Sequence, residues 1–411
     1  FMQKLLPILY FLVFVFSICA QGEWNQFRGS SGQGHSNAAL PQSWSQHSKN
    51  IKWRTAIDGK AWSSPILVSG EVVVTNARSN GSGDSIILEA LCLDSENGKI
   101  IWRNELFSYS ELPRIHRKNS YASPTPFFDG DSIFVHFGNL GTACLNQKGE
   151  LKWKKVFKYS PVHGSGCSPV VYGKQVLFSA DGASDPCLYA INKLTGDILW
   201  QAPRIRGSKK TFSFCTPLVV PFNGSIQIIS PASDFVYSYS LDGKELWRLN
   251  YPNGYSVVPR PVYQEGVVYV CSGYDRPTLY AIEIDGRGDV TKSKILWQTS
   301  KSVPRNSSVV LVNGNLFMAA DNGVVSCLDA KTGRLYWIER VGGSCSASLL
   351  HANDLIYLTD ETGKTFVFEA NTQYKFRFEN DINERTLSSI MTLGTSIILR
   401  TESAVYRIEH L

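Results

Sequence analysis

An all-β fold, an eight-bladed β-propeller of four-stranded blades closed by an N-terminal strand, is what the 411-residue sequence predicts, on three observations. A tryptophan returns steadily at Trp53, Trp102, Trp153, Trp200, Trp247, Trp297 and Trp337, with steps of 40 to 51 residues, and Phe376 stands where the next is due. Within each interval the same strand-like words recur in the same order. The chain also stops three strands into a last repeat, while a spare strand with its own tryptophan lies near the start. Repeats of about 40–50 residues with strand content mark one propeller blade each. Composition agrees, since 33 Gly, 18 Pro and 12% aromatics suit a turn-rich β protein, and 43% hydrophobic residues supply a continuous core. A net charge of +6 is too modest at this length to indicate nucleic acid.

Residues 1–20 read as a secretory signal peptide. Lys4 precedes an apolar run from Leu5 to Ile18, and Cys19-Ala20-Gln21 offers cleavage after Ala20. The run is short for a membrane span of about 20 residues. An uncleaved anchor and a lipid on Cys19 are the alternatives, the lipid disfavoured by bulky Ile18. A periplasmic or otherwise exported protein is expected. Residues 21–49 form a lead-in strap that carries Trp24-Asn25-Gln26-Phe27-Arg28-Gly29 and Leu40-Pro41, and the propeller occupies 50–411.

Each repeat opens on a Ser/Pro-marked strand: Ser63-Ser64-Pro65, Ala122-Ser123-Pro124, Cys167-Ser168-Pro169, Cys215-Thr216-Pro217 and Arg260-Pro261. Ser307-Ser308, Ser346-Ala347-Ser348 and Ser388-Ser389 hold the place without Pro. A Gly or Asn turn and an alternating apolar strand follow, a hairpin signal. The third strand then passes through a Gly turn into the tryptophan strand, as in Ala190-Ile191-Asn192-Lys193-Leu194-Thr195-Gly196-Asp197-Ile198-Leu199-Trp200. The frame repeats from Cys92 to Trp102 and from Cys327 to Trp337, with shortened copies ending at Trp153 and Trp247. A small residue admits the flat indole, and Gly takes a turn that other residues resist. The last repeat supplies Ser388–Ile390, Ser396–Arg400 and Val405–Ile408 with no fourth strand, so residues 50–57 around Trp53 are expected to complete it. Borrowing that strand removes the open edge.

This frame resembles the tryptophan-docking motif of the pyrroloquinoline quinone (PQQ)-like propeller family, and the resemblance covers residues 50–408. The family includes quinoprotein dehydrogenases and the outer-membrane assembly protein BamB, so the resemblance speaks to fold more than to function. A dehydrogenase of this kind implies adjacent cysteines over the cofactor, calcium held by acidic and amide side chains, and an Asp base. The chain has no Cys-Cys dipeptide. Three of its nine cysteines, Cys92, Cys144 and Cys327, occupy the small-residue slot filled by Ala190 in repeat three, which reads as burial and not as a bridge. Only Cys167 and Cys215, on adjacent repeats, suggest a pair. The seven histidines show no metal-ligand spacing, and no catalytic or catalytic-metal residue is assigned.

The connections between repeats are basic. Arg114 and Arg117 lie in the first, Arg204, Arg206, Lys209 and Lys210 in the third, Arg260 in the fourth and Arg305 in the fifth. Trp62, Tyr121, Phe212, Phe214 and Tyr255 lie among them. In a propeller these connections share one face, and guanidinium groups beside aromatic surface suit carboxylates or other acidic groups. The expectation is a non-catalytic, monomeric, BamB-like binding or scaffold module. Its partner would be another envelope protein or an acidic ligand, saccharide or peptide, with no nucleic acid and no cofactor. Membrane association would come only through that partner or a lipid on Cys19. The alternative is a PQQ- and calcium-dependent oxidoreductase.

Overall fold

The computed structural model describes residues 24–81, 85–205 and 210–410. The signal peptide expected over residues 1–20 lies outside them. Eight sheets, each with a four-stranded antiparallel core, follow one another around the chain. Blade 1 runs from the inside outward as Ile66–Val68, Glu71–Ser79, Ile86–Leu93 and Ile100–Tyr109. Blade 8 takes Met391–Leu393, Ser396–Arg400 and Ala404–Ile408 from the C-terminus and Ile51–Ala56 as its outer strand. Trp53 faces Arg407 in that antiparallel pairing, so the ring closes with the expected N-terminal strand.

Burial explains the sequence pattern of the strands. The middle strands are packed between neighbouring blades on both faces, so Gln175–Ala180 and Ser396–Arg400 are buried throughout. Outer strands meet solvent, and Leu151–Lys155 buries only its central Trp153.

The tryptophans join successive blades. Indole Nε1 of Trp53, Trp153, Trp200, Trp297 and Trp337 donates at 2.9 Å to the carbonyl of Ser95, Lys193, Leu241, Ala330 and Asn371 respectively, each in the next blade's outer turn. The rings of Trp53, Trp102, Trp153, Trp200 and Trp297 lie flat on Gly98, Gly149, Gly196, Gly243 and Gly333, where a Cβ would sit 2.5–2.7 Å from the indole. These glycines all have φ between 72° and 82°, so both the backbone and the contact exclude a side chain. Trp247 departs from the rule. Blade 5 has a longer outer turn, whose Gly288–Asp289 pairs in parallel with the blade 4 edge. Trp247 is fully buried beneath it and bonds Gln227 Oε1 of its own blade.

A second set of inter-blade bonds encircles the axis. The backbone N–H groups of Ser64, Thr125, Ser168, Arg260, Ser308, Ser348 and Ser389 each donate to a hydroxyl of the following blade: Thr125, Ser168, Thr216, Ser308, Ser348, Ser389 and Ser64. This corrects the register of the second repeat. Its hydroxyl is Thr125, ahead of Pro126, and not Ser123. In blade 5 the hydroxyl position is Arg260, so Thr216 N–H finds no hydroxyl and the ring is interrupted once.

The strap is threaded inside the ring. Trp24 and Asn25 carbonyls accept the Leu67 and Phe128 N–H groups of blades 1 and 2. His35–Ser36 then pairs in parallel with the inner strand Leu350–Ala352 of blade 7. Leu40 and Trp44 pack into a core shared with blades 7 and 8.

Candidate partner-binding face

Because every blade runs in the same order, the outer-to-inner connections emerge on one face, together with each blade's second-to-third turn. Arg114, His116 and Arg117 are exposed here, and the two arginine side chains make no ion pair or hydrogen bond among the described residues. Lys118 bonds Glu361 of blade 7 at 2.7 Å, and Glu361 also accepts the Ser346 hydroxyl. That contact draws the first connection inward over the mouth of the ring.

A row of rings follows the same rim. His116 meets His163 with centroids 5.5 Å apart, His163 meets Phe212 at 5.1 Å, Phe212 meets Tyr255 at 5.6 Å and Tyr255 meets Tyr274 at 6.2 Å. Lys210 stands 3.8 Å over Tyr255, and Arg305 stands 5.0 Å over Tyr274. Phe214 lies against Phe212 and His163. His116 and Tyr274 are exposed and His163 and Phe214 half-buried, while Phe212 and Tyr255 are buried, so the row reaches the surface mainly at its two ends, with Lys210 and Arg305 held against Tyr255 and Tyr274.

Three of the residues expected on the face, Arg204, Arg260 and Trp62, are buried. Arg204 is buried, with Nε 3.1 Å from Asp181, Nη1 on the Tyr239 hydroxyl and Nη2 on the Ser230 hydroxyl. Burial opposes its charge, but Asp181 and the tyrosines outweigh that and push its pKa up. Arg260 is likewise buried and turns down the axis to the strap, where it bonds Gln26 and Phe27. Membership of a connection does not fix depth, and both side chains find interior acceptors. Arg206 and Lys209 lie outside the described residues. Trp62 is buried as well, between Lys60 at 5.5 Å and Arg385 at 5.2 Å, whereas Tyr121 is half-buried and donates to the Pro113 carbonyl. Sequence reasoning missed His163, Tyr274 and Glu361, whose only signal is their place in loops that the topology gathers.

Eight cysteines among the described residues are free and buried, Cys167 and Cys215 included. No group of three or more His, Cys, Asp or Glu among the described residues is arranged to hold a metal ion. No described helix is long and apolar enough to cross a membrane.

The family profile described as outer membrane protein assembly factor BamB matches residues 88–299 and 289–375. The chain belongs to the BamB family. The outer membrane protein assembly factor BamB of Moranella endobia (strain PCIT) is 23% identical over 274 residues. That match covers 64% of this chain and 63% of the relative, less than two thirds of its length. Among solved structures, BamB from Moraxella catarrhalis superposes with a TM-score of 0.62 at 11% identity, over 88% of this chain and 97% of that one. Quinohemoprotein alcohol dehydrogenase from Comamonas testosteroni gives 0.68 at 9% identity, over 94% and 80%. At such identities these structures share the propeller fold with the BamB-like chain and say nothing of its chemistry.

Proposed function

We propose that this chain is an exported, non-catalytic scaffold whose connection face binds an acidic segment of another envelope protein. The observation that carries this reading is the pair of exposed, unpartnered guanidinium groups of Arg114 and Arg117 beside the aromatic row. Arg offers bidentate contacts to carboxylates, and the rings add apolar area. The family's assembly-factor description supports a protein partner. Redox catalysis with PQQ fits the residues poorly. The chain has no adjacent cysteines, and the described carboxylates form no cluster able to hold calcium.

The test is capture of partners from native envelope by the full chain and by an Arg114→Glu, Arg117→Glu, Arg305→Glu variant whose fold is checked by circular dichroism. The wild type should capture a partner that the variant loses, and salt should weaken capture, since exposed charges are screened over about 10 Å at 0.1 M. A partner held equally by the variant and in high salt would refute the assignment. Quinone uptake with calcium, read as an absorbance change, would favour the oxidoreductase.

A further inference from the structure

Five arginines are buried among the described residues: Arg28, Arg204, Arg260, Arg400 and Arg407, the last paired with Glu96 and Glu409. Their surroundings divide them. Arg204 pairs with Asp181, and the field of Glu89 supports Arg400. Among the described residues, Arg28 and Arg260 have no carboxylate in an ion pair. Arg28 comes from the strap and sends Nη2 to the Val309 carbonyl at 2.7 Å, which leaves Nε and Nη1 buried without a partner. Arg260 enters from blade 5 and is held by the carbonyls of Pro217 and Phe27 and by Gln26. Burial lowers the pKa of both, to about 9 for Arg28 and about 10 for Arg260, and the two charges oppose each other at Arg28. The nearest acids acting on Arg260 are the thiols of Cys215 and Cys167, which burial keeps neutral.

The strap is shaped to enclose these groups. A Cβ at Gly32 would lie 2.2 Å from Arg260 Nη1, and one at Gly34 would lie 2.7 Å from Arg28 Nη2. Both glycines have positive φ, 68° and 81°. The loop thus closes directly over two guanidinium groups, each brought there at a cost. Arg28 itself adopts φ 67°, a region that non-glycine residues seldom occupy, and Arg260 takes the one position where a hydroxyl would have completed the ring around the axis. A buried charge is ordinarily paired, and burial without compensation is strongly unfavourable. The unpaired positive charge and the orphaned donors call for the same complement.

We infer that the axial channel of this protein, between the strap and the ring of hydroxyls, binds a small inorganic anion of halide size through Arg28 and Arg260. Such an ion accepts the orphaned N–H groups, neutralises the facing cations and locks the strap to blades 5 and 6. It would make strap docking, and hence the stability of the whole ring, dependent on the anion.

The experiment follows thermal unfolding of the full chain at constant ionic strength while sodium gluconate is replaced by sodium chloride, and locates bromide by anomalous scattering in soaked crystals. The wild type should show a saturating rise in midpoint of about 2–4 °C, as a ligand that binds only the folded state stabilises it. Bromide should appear between Arg28 and Arg260. Arg260→Ser restores the hydroxyl that the other blades carry, so it should fold and lose the chloride dependence. Lys174→Gln, which removes an exposed charge, should keep it. A wild type indifferent to chloride, a dependence that survives in Arg260→Ser, or bromide found only on the outer surface would each overturn the inference.

Discussion

Removing Trp153 and crowding Gly196 attack one contact from its two sides, and their combination tests the inter-blade joint more stringently than either alone. Trp153 of blade 2 is 9% exposed, packs on Phe134 and donates to the Lys193 carbonyl of blade 3. Truncating a buried aromatic costs about 3–5 kcal/mol, so Trp153→Ala should fall in that range. Gly196→Ala brings a Cβ to 2.7 Å from the indole at φ 74°. The left-handed backbone should cost about 1–2 kcal/mol, and overpacking a further 1–3 kcal/mol or so. With the indole already gone, the backbone cost remains together with a 2.9 Å contact to Lys155 Cγ, which that flexible side chain can relieve by a small shift. Gly196→Ala in the Trp153→Ala background should therefore destabilise by about 1–2 kcal/mol, and the double-mutant cycle should show a coupling of roughly 1–3 kcal/mol. Urea unfolding of the four proteins, with slopes compared to confirm that the same surface is exposed, gives each term. Additivity within about 0.5 kcal/mol would mean that the indole and the glycine do not bear on one another, and the reading of the joint would fall.

Burial, with help from His351 and Arg28, lowers the pKa of His35 to about 4, and burial alone lowers that of His136 to about 3. An unfolded histidine titrates near 6.5, so the unfolded chain binds more protons in between. Stability should be intact above pH 6.5 and fall towards pH 4, by about 2–3 kcal/mol for His35. His35→Gln should flatten that part of the urea midpoint profile, and an unchanged slope would dismiss His35 as its source. The buried thiols of Cys92 and Cys327 are pushed up to about 12 and that of Cys144 to about 11. Native protein at pH 8 should leave all three unalkylated, and denaturant without reductant should expose them, which mass spectrometry reads directly. Arg204→Met strands the Asp181 carboxylate in the interior and should cost about 3–5 kcal/mol, whereas a loss below about 1 kcal/mol would show that the pair contributes little.

The repeat is visible in the sequence because the joint demands particular residues. An indole needs a glycine on the facing blade, and that pairing imposes both the spacing and the turn. Trp247 keeps the spacing while its partner turn has been lengthened at Gly288–Asp289, a change that lies in the next repeat and leaves no trace beside the tryptophan itself. The Ser123-Pro124 word misleads because Pro126 follows two residues later, and only the hydroxyl contact from Ser64 selects Thr125. On the binding face, chain order tells which loops gather but not which side chains reach water. Arg117 and Arg204 both sit among basic loop residues, and what separates them is Asp181, which follows the strand Gln175–Ala180 and whose carboxylate draws one guanidinium inward. Arg28 sits in a word that sequence reading could assign only to a lead-in strap, since its acceptor at Val309 is 281 residues away.

The threaded strap also bears on the order in which the molecule can be completed. Its contacts reach Phe128, Arg260, Val309 and His351 at separations of 103, 234, 281 and 316 residues, in blades 2, 5, 6 and 7. Phe128 in blade 2 is at hand early, but Arg260, Val309 and His351 stand in place only when most of the ring has assembled around the axis. A segment synthesised ahead of every blade must therefore wait, with Arg28 and His35 unsatisfied, for blades 6 and 7 to arrive. Contacts so distant along the chain carry a loop-closure penalty before any of them rewards it, and they make for slow folding. Residues 24–36 act as a late latch: while blade 7 is missing His35–Ser36 has no strand to join, and once it docks the segment holds five blades to one another from within.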